Sequence, residues 1–119
     1  MLLNVYKYFD VPESLSDLEN YKHRAMNDPE LAYDYAVGII KGRWHEAEPY
    51  IKTSRYAAEY ARDVIKGRWP EAEEYIKQKA VSSYYYAKDV IKGRWSEAEP
   101  IIKTSDFLYG LYKRHFNIE

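Results

Sequence analysis

The sequence predicts an all-α fold: a short α-solenoid, a right-handed stack of helical hairpins with a capping helix at each end. Three observations lead there. The pentapeptide Ile-Lys-Gly-Arg-Trp occurs at residues 40–44, 65–69 and 91–95, spaced by 25 and 26 residues. Each copy follows a segment with apolar or small residues at i, i+3, i+4, i+7 and i+8, the spacing of a buried helical face. Each is followed by Glu-Ala-Glu and then Ile-Lys. Self-similarity at such a period is the signature of a repeat in which one supersecondary unit is stacked on the next.

The elements follow in order. Residues 1–28 read as an N-terminal cap. Leu2, Val5, Tyr6 and Phe9 fall on one face of a helix. Asn4 and Lys7 interrupt that stretch and no small-residue cleavage site follows, so it reads as structure rather than as a leader. Ser16 and Glu19 have capping-box spacing, ahead of a helix carrying Leu18, Tyr21 and Ala25. Asn27-Asp28-Pro29 then opens the first of three repeats, 29–54, 55–79 and 80–105, within a single domain of 119 residues.

In the second repeat a first helix is expected from about residue 55 to 66, burying Ala57, Tyr60, Ala61, Val64 and Ile65. Ala32, Tyr35, Ala36, Ile39 and Ile40 match these upstream, and Ser83, Tyr86, Ala87, Val90 and Ile91 downstream. The tyrosine hydroxyls are expected to reach the surface. Gly42, Gly67 and Gly93 are expected to end the helices in the left-handed region. Trp44, Trp69 and Trp95 are expected to staple the turns. Pro70 suits the first turn of a second helix, and Ser96 with Glu99 has capping-box spacing. Pro49 and Pro100 each remove a donor, so that helix should be short or bent. The one-residue difference between repeats is expected around residues 79–82. Residues 106–119 form a C-terminal cap, with Phe107, Leu108, Leu111, Tyr112 and Phe116 closing the stack.

Composition narrows the function classes. Eighteen Lys and Arg against 19 Asp and Glu leave a net charge of -1, which favours neither a basic nucleic-acid binder nor an acidic mimic. The absence of Cys removes disulfides, thiol nucleophiles and thiolate metal sites. No apolar run reaches membrane length, and a cytoplasmic setting is expected. His23, His45 and His115 occupy non-equivalent positions and form no ligand set. Glu71 and Glu73, two apart on a helix, point in different directions and make no acid–base dyad. No enzyme, cofactor or metal site is expected.

The motif Ile-Lys-Gly-Arg-Trp-x-Glu-Ala-Glu, with Tyr-Ala before it, resembles short helical-hairpin repeats of uncharacterised phage and bacterial proteins. The resemblance covers about residues 31–105, with a degraded continuation to Phe116. It implies an α-solenoid and a phage origin, and with that an inhibitor or modulator of a host or defence protein. It carries over no catalytic residue.

The expected function is therefore protein binding by a rigid helical face. Candidate contact residues are Tyr33, Tyr84 and Tyr85, where the repeats differ, and the in-phase Arg43, Arg68 and Arg94. Residues 84–86 are three consecutive tyrosines, which cannot all face inward on one helix. Each Arg is followed three and five residues later by Glu, so local pairing should cancel much of its field. The rival is a nucleic-acid binder using a Lys/Arg ladder with exposed tyrosines. Self-association through the terminal helices is a further expectation.

Overall fold

A computed structural model describes residues 15–119, and all the regular structure among these residues is helical. The expected face of Leu2, Val5, Tyr6 and Phe9 lies outside them. The described residues form two compact units, the first ending at residue 56 and the second spanning residues 57–119. In the first, α1 (Leu15–Ala25) is followed by α2 (Pro29–Tyr35), which runs on into a π-helical turn (Ala36–Ile40), and by α3 (Glu48–Ile51). The second begins with α4 (Ala57–Tyr60) and its π-turn (Ala61–Ile65), then α5 (Pro70–Ile76). There follow α6 (Ala80–Tyr86) with a third π-turn (Ala87–Ile91), α7 (Glu99–Ile102) and α8 (Asp106–Phe116). Helix α2 packs on α1 and α3, and α6 packs against α4, α5, α7 and α8.

Side-chain caps start α2 and α8. Asp28 accepts hydrogen bonds from the backbone N–H groups of Glu30 (3.0 Å) and Leu31 (3.3 Å), and Pro29 takes the first turn of α2. Ser105 accepts from Leu108 N–H at 3.1 Å to open α8. Each cap satisfies donors that the helix itself leaves unpaired. The expected Ser96–Glu99 capping box does not form, because Ser96 sits in a 3-10 turn (Ser96–Ala98) while Glu99 is bound by Arg94; the side chain of residue 16, in the other expected box, lies outside those described.

Pro49 and Pro100 are not helix-interior residues. Helices α3 and α7 start at Glu48 and Glu99, which puts each proline in a first turn that needs no donor. These second helices are four residues long, whereas α5, which opens at Pro70 and has Glu74 in the equivalent place, is seven. The segment from Ser54 to Tyr60 is one residue shorter than that from Ser105 to Tyr112. Both later junctions, Trp69 to Tyr86 and Trp95 to Tyr112, span 17 residues. The irregular junction is thus the one after Ser54, not an insertion at 79–82.

The helix stops also differ from expectation. Lys41, Lys66 and Lys92 occupy the left-handed region at φ 59°, 63° and 61°, and no glycine has positive φ. The Lys66 and Gly67 N–H groups both donate to the Ala61 carbonyl, at 2.7 and 3.2 Å. Lys92 and Gly93 do the same to Ala87, at 2.7 and 3.3 Å. Pulling two donors from five and six residues onward to one carbonyl widens the last turn and forces the first of them through positive φ. A left-handed non-glycine residue costs about 1–2 kcal/mol. A Cβ at Gly42, Gly67 or Gly93 would meet nothing within 4 Å, and nothing in the structure explains glycine there. The cap helix ends differently. Asn117 is left-handed (φ 57°) and Ile118 N–H donates to Lys113 O at 2.8 Å, a Schellman closure.

Each unit buries aromatic beside small side chains: Tyr35 beside Ala36 in the first, and Tyr60, Tyr86 and Tyr112 with Ala61 and Ala87 in the second. Ser83 holds the place of Ala32 and Ala57, and its buried hydroxyl donates to Ile76 O at 3.0 Å, satisfying a carbonyl at the end of α5. Two substitutions test the helix stop. Lys66→Val places a β-branched side chain at positive φ and should lower stability by more than about 1 kcal/mol in urea unfolding. Gly67→Ala should leave it unchanged or raise it by up to about 1 kcal/mol.

Candidate interaction surface

The repeated Arg-Trp turn is built around a carboxylate, buried at Glu48 and Glu99 and half-buried at Glu73. In α5, Glu73 takes a bidentate pair from Arg68, Nε to Oε2 and Nη2 to Oε1, both at 2.8 Å. The Tyr86 hydroxyl donates to Glu73 Oε2 at 2.7 Å and accepts from the Trp69 backbone N–H at 2.7 Å. The next turn repeats this: Arg94 grips Glu99 at 2.9 Å through both nitrogens, and the Tyr112 hydroxyl bridges Glu99 (2.7 Å) and Trp95 N–H (2.8 Å). In the first unit Arg43 holds Glu48 in the same bidentate way, at 2.9 and 2.8 Å. The pairing partner is thus the Glu five residues after each Arg, not the one at three.

The electrostatics follow from this geometry. The Arg68 guanidinium, with the Tyr86 hydroxyl, holds the Glu73 carboxyl below its ordinary range against the desolvation that opposes it. Arg94 does the same for Glu99, again helped by a tyrosine hydroxyl. Burial pushes the Tyr112 hydroxyl up to about 12, and Tyr86 is raised for the same first cause. The tyrosines therefore stay protonated and keep donating. Their hydroxyls do not reach the surface as expected, because the backbone N–H and the carboxylate they bridge are both inside.

Each tyrosine ring also packs on the tryptophan of its own repeat. Centroids are 4.7 Å apart for Tyr35–Trp44, 5.0 Å for Tyr60–Trp69 and 4.9 Å for Tyr86–Trp95, all tilted. The expected aromatic staple is present, with all three tryptophans buried. In α8, Phe116 supplies the edge contact to Tyr112 at 5.0 Å.

The candidate contact residues fall into three groups. Arg43, Arg68 and Arg94 lie at the surface with their charge committed to Glu48, Glu73 and Glu99. Tyr84 is buried, 6% exposed, and belongs to the core; it meets Tyr85 edge-on at 5.0 Å. Tyr85 is 46% exposed, the outward member of the 84–86 run. Tyr33 is half-buried and stacks on Tyr56, 6.2 Å between centroids. These residues form no common cluster within either unit. Phe107, expected to help close the stack, is instead exposed on α8, and Val81, beside the expected one-residue difference, is exposed on α6.

Comparison with known proteins gives no family. No family model, curated protein or solved structure matches this chain. Among the described residues no three His, Cys, Asp or Glu side chains form a metal-binding group, and no helix is long and apolar enough to cross a membrane.

Two measurements test the buried bridge. Tyr112→Phe strips a partner from a buried N–H and a buried carboxylate and should cost about 2–3 kcal/mol in urea unfolding, and Tyr86→Phe, whose carboxylate is half-buried, about 1–2 kcal/mol. The pH dependence has a definite sign. A carboxyl whose folded pKa is depressed stabilises the fold above its unfolded pKa and loses that contribution as pH falls through the folded value. Stability should therefore fall on acidification below the ordinary Glu value of 4.5. In Glu73→Gln, itself less stable at neutral pH, the slope of that acid limb should be shallower.

Proposed function

We propose that this chain is a short α-solenoid whose repeats build a rigid scaffold for binding another protein, without catalysis. The observation that carries the reading is how the repeated residues are used. Arg, Trp, Glu and Tyr of the repeat are spent on internal pairing, so the motif serves the turn. Variation falls instead on the outer positions of the first helices. Five residues and one residue before the core tyrosine stand Glu30 and Asp34, then Arg55 and Glu59, then Val81 and Tyr85, then Phe107 and Leu111. A constant frame with variable outer positions is how repeat proteins present a binding face. The resemblance to phage repeats makes an inhibitor or modulator of a host or defence protein the natural setting, in the cytoplasm of the host.

The test is crosslinking affinity purification of the tagged protein from its own host, set beside a salt titration against single- and double-stranded DNA and RNA. A protein partner recovered in fixed ratio, with weak and non-specific nucleic-acid binding, is the expected outcome. Nucleic-acid affinity that falls steeply with salt and is lost in Lys41→Gln, Lys66→Gln and Lys92→Gln together would overturn it. Those lysines are exposed and stand outside the buried carboxylate pairs. The test therefore reads charge without breaking the fold.

A further inference from the structure

Within the C-terminal unit one outer surface breaks the polar pattern of its equivalents. On α6, Val81 is 56% exposed and Tyr85 46%; on α8, Phe107 is 72% exposed. Leu111 is half-buried one turn beyond Phe107. Val81 and Phe107 hold the same place relative to Tyr86 and Tyr112, and so do Tyr85 and Leu111. Because α6 and α8 pack on each other, equivalent places on neighbouring helices lie about 8–10 Å apart. The four side chains make one apolar stripe two helices wide.

The stripe has cationic ends. Lys88 and Arg114 lie seven residues after Val81 and Phe107, on the same helical faces. Lys79 is exposed just before α6, and α6 itself, Ala80–Tyr86, carries no charge. The carboxylates nearby are Asp106, at the start of α8, Glu59, which holds the place of Tyr85 on the neighbouring α4, and Asp89, which is held by Lys88 at 3.3 Å and Arg62 at 4.0 Å. With Arg62, Lys79, Lys88 and Arg114 against these three, the surround carries one net positive charge.

Area decides the size of the occupant. With aromatic side chains offering about 200 Å² each, the exposed parts of these four residues sum to roughly 350 Å². A stable dimer needs about 800 Å² from each partner, so a second copy is poorly served. Three or four apolar anchors at one-turn spacing are what a single amphipathic helix presents.

We propose that the α6–α8 face docks a short amphipathic helix of a partner protein, apolar on one side and acidic along its flanks. Val81, Tyr85, Phe107 and Leu111 take its apolar side, and Lys88, Arg114 and Lys79 meet its carboxylates. This rests on the protein-binding reading and specifies its surface and partner chemistry.

The test uses the full chain and a designed fluorescent peptide of about 16 residues, with Leu at i, i+3, i+4 and i+7 flanked by Glu. A counterpart carries Lys in place of every Glu. Fluorescence anisotropy should show the Glu peptide binding at least about tenfold tighter than the Lys peptide at roughly 150 mM salt. Phe107→Glu, at a well-exposed position that should leave the thermal melt unchanged, should weaken the Glu peptide by about tenfold or more. Arg114→Glu should narrow the preference between the peptides. Equal affinities, no binding of either peptide, or binding unaffected by Phe107→Glu would overturn the proposal. So would a concentration-dependent dimer, or uptake onto phosphatidylserine vesicles, that Phe107→Glu abolishes. A host partner still recovered with the Phe107→Glu variant would sink this surface while leaving the broader protein-binding reading intact.

Discussion

A tyrosine hydroxyl that donates to one buried group while accepting from another settles two problems that every turn of the C-terminal unit creates. The turn after a first helix turns the Trp backbone N–H inward and brings a Glu carboxylate toward the core. Left unpaired, each would cost about 1–3 kcal/mol. Tyr86 and Tyr112 answer both at once, from 17 residues further along the chain. The turn is therefore completed by the helix that follows it. A repeat of this kind is not self-sufficient: α8 brings Tyr112 to finish the preceding turn.

The arginine completes the arrangement from outside. Its fork holds the carboxylate ionised at the protein surface, so the buried oxygen remains a strong acceptor. The tyrosine ring is meanwhile seated against the tryptophan of its own repeat, which links each turn to the helix before it as well as the one after. To bring Trp to that place the first helix must end abruptly. It does so through a widened turn on an alanine carbonyl, with a lysine forced into the left-handed region. The strain is local and recurs in all three repeats, so the geometry of the stop is part of the repeat itself.

Much of this was legible in the sequence. The period, the burial of Tyr35, Tyr60, Tyr86 and the tryptophans, and the outward turn of one residue in 84–86 all follow from pattern alone. The last two places of the expected buried face do not hold: Ile39, Val64, Ile65, Val90 and Ile91 are half-buried and Ile40 is exposed, because the widened π-turn takes them out of the 3.6-residue register. What was hidden depends on contacts between distant residues or on backbone detail. Glycine is the default left-handed residue, yet the lysine before it takes that place, because two donors converge on one carbonyl. Glu at three residues and Glu at five look alike as partners for Arg until the turn geometry selects the second. Tyr84 differs from Ala58 at the matching place, and that variation suggested a surface role, but its position on α6 faces inward. The exposed Val81 and Phe107 were visible as apolar residues at positions that are charged in earlier repeats, a signal found only by comparing the repeats column by column.

The split between constant interior and variable exterior is what supports the proposed binding role. Its interior half rests on the bridging hydroxyls, and amide hydrogen exchange reads them directly. The backbone amides of Trp69 and Trp95 lie at turns outside any helical hydrogen-bond ladder, so their protection must come from Tyr86 and Tyr112. Measured by NMR, both should exchange as slowly as the helical amides around them, and Trp69 alone should lose protection in Tyr86→Phe under conditions where that variant remains folded. Rapid exchange of Trp69 and Trp95 in the unaltered protein would contradict the account.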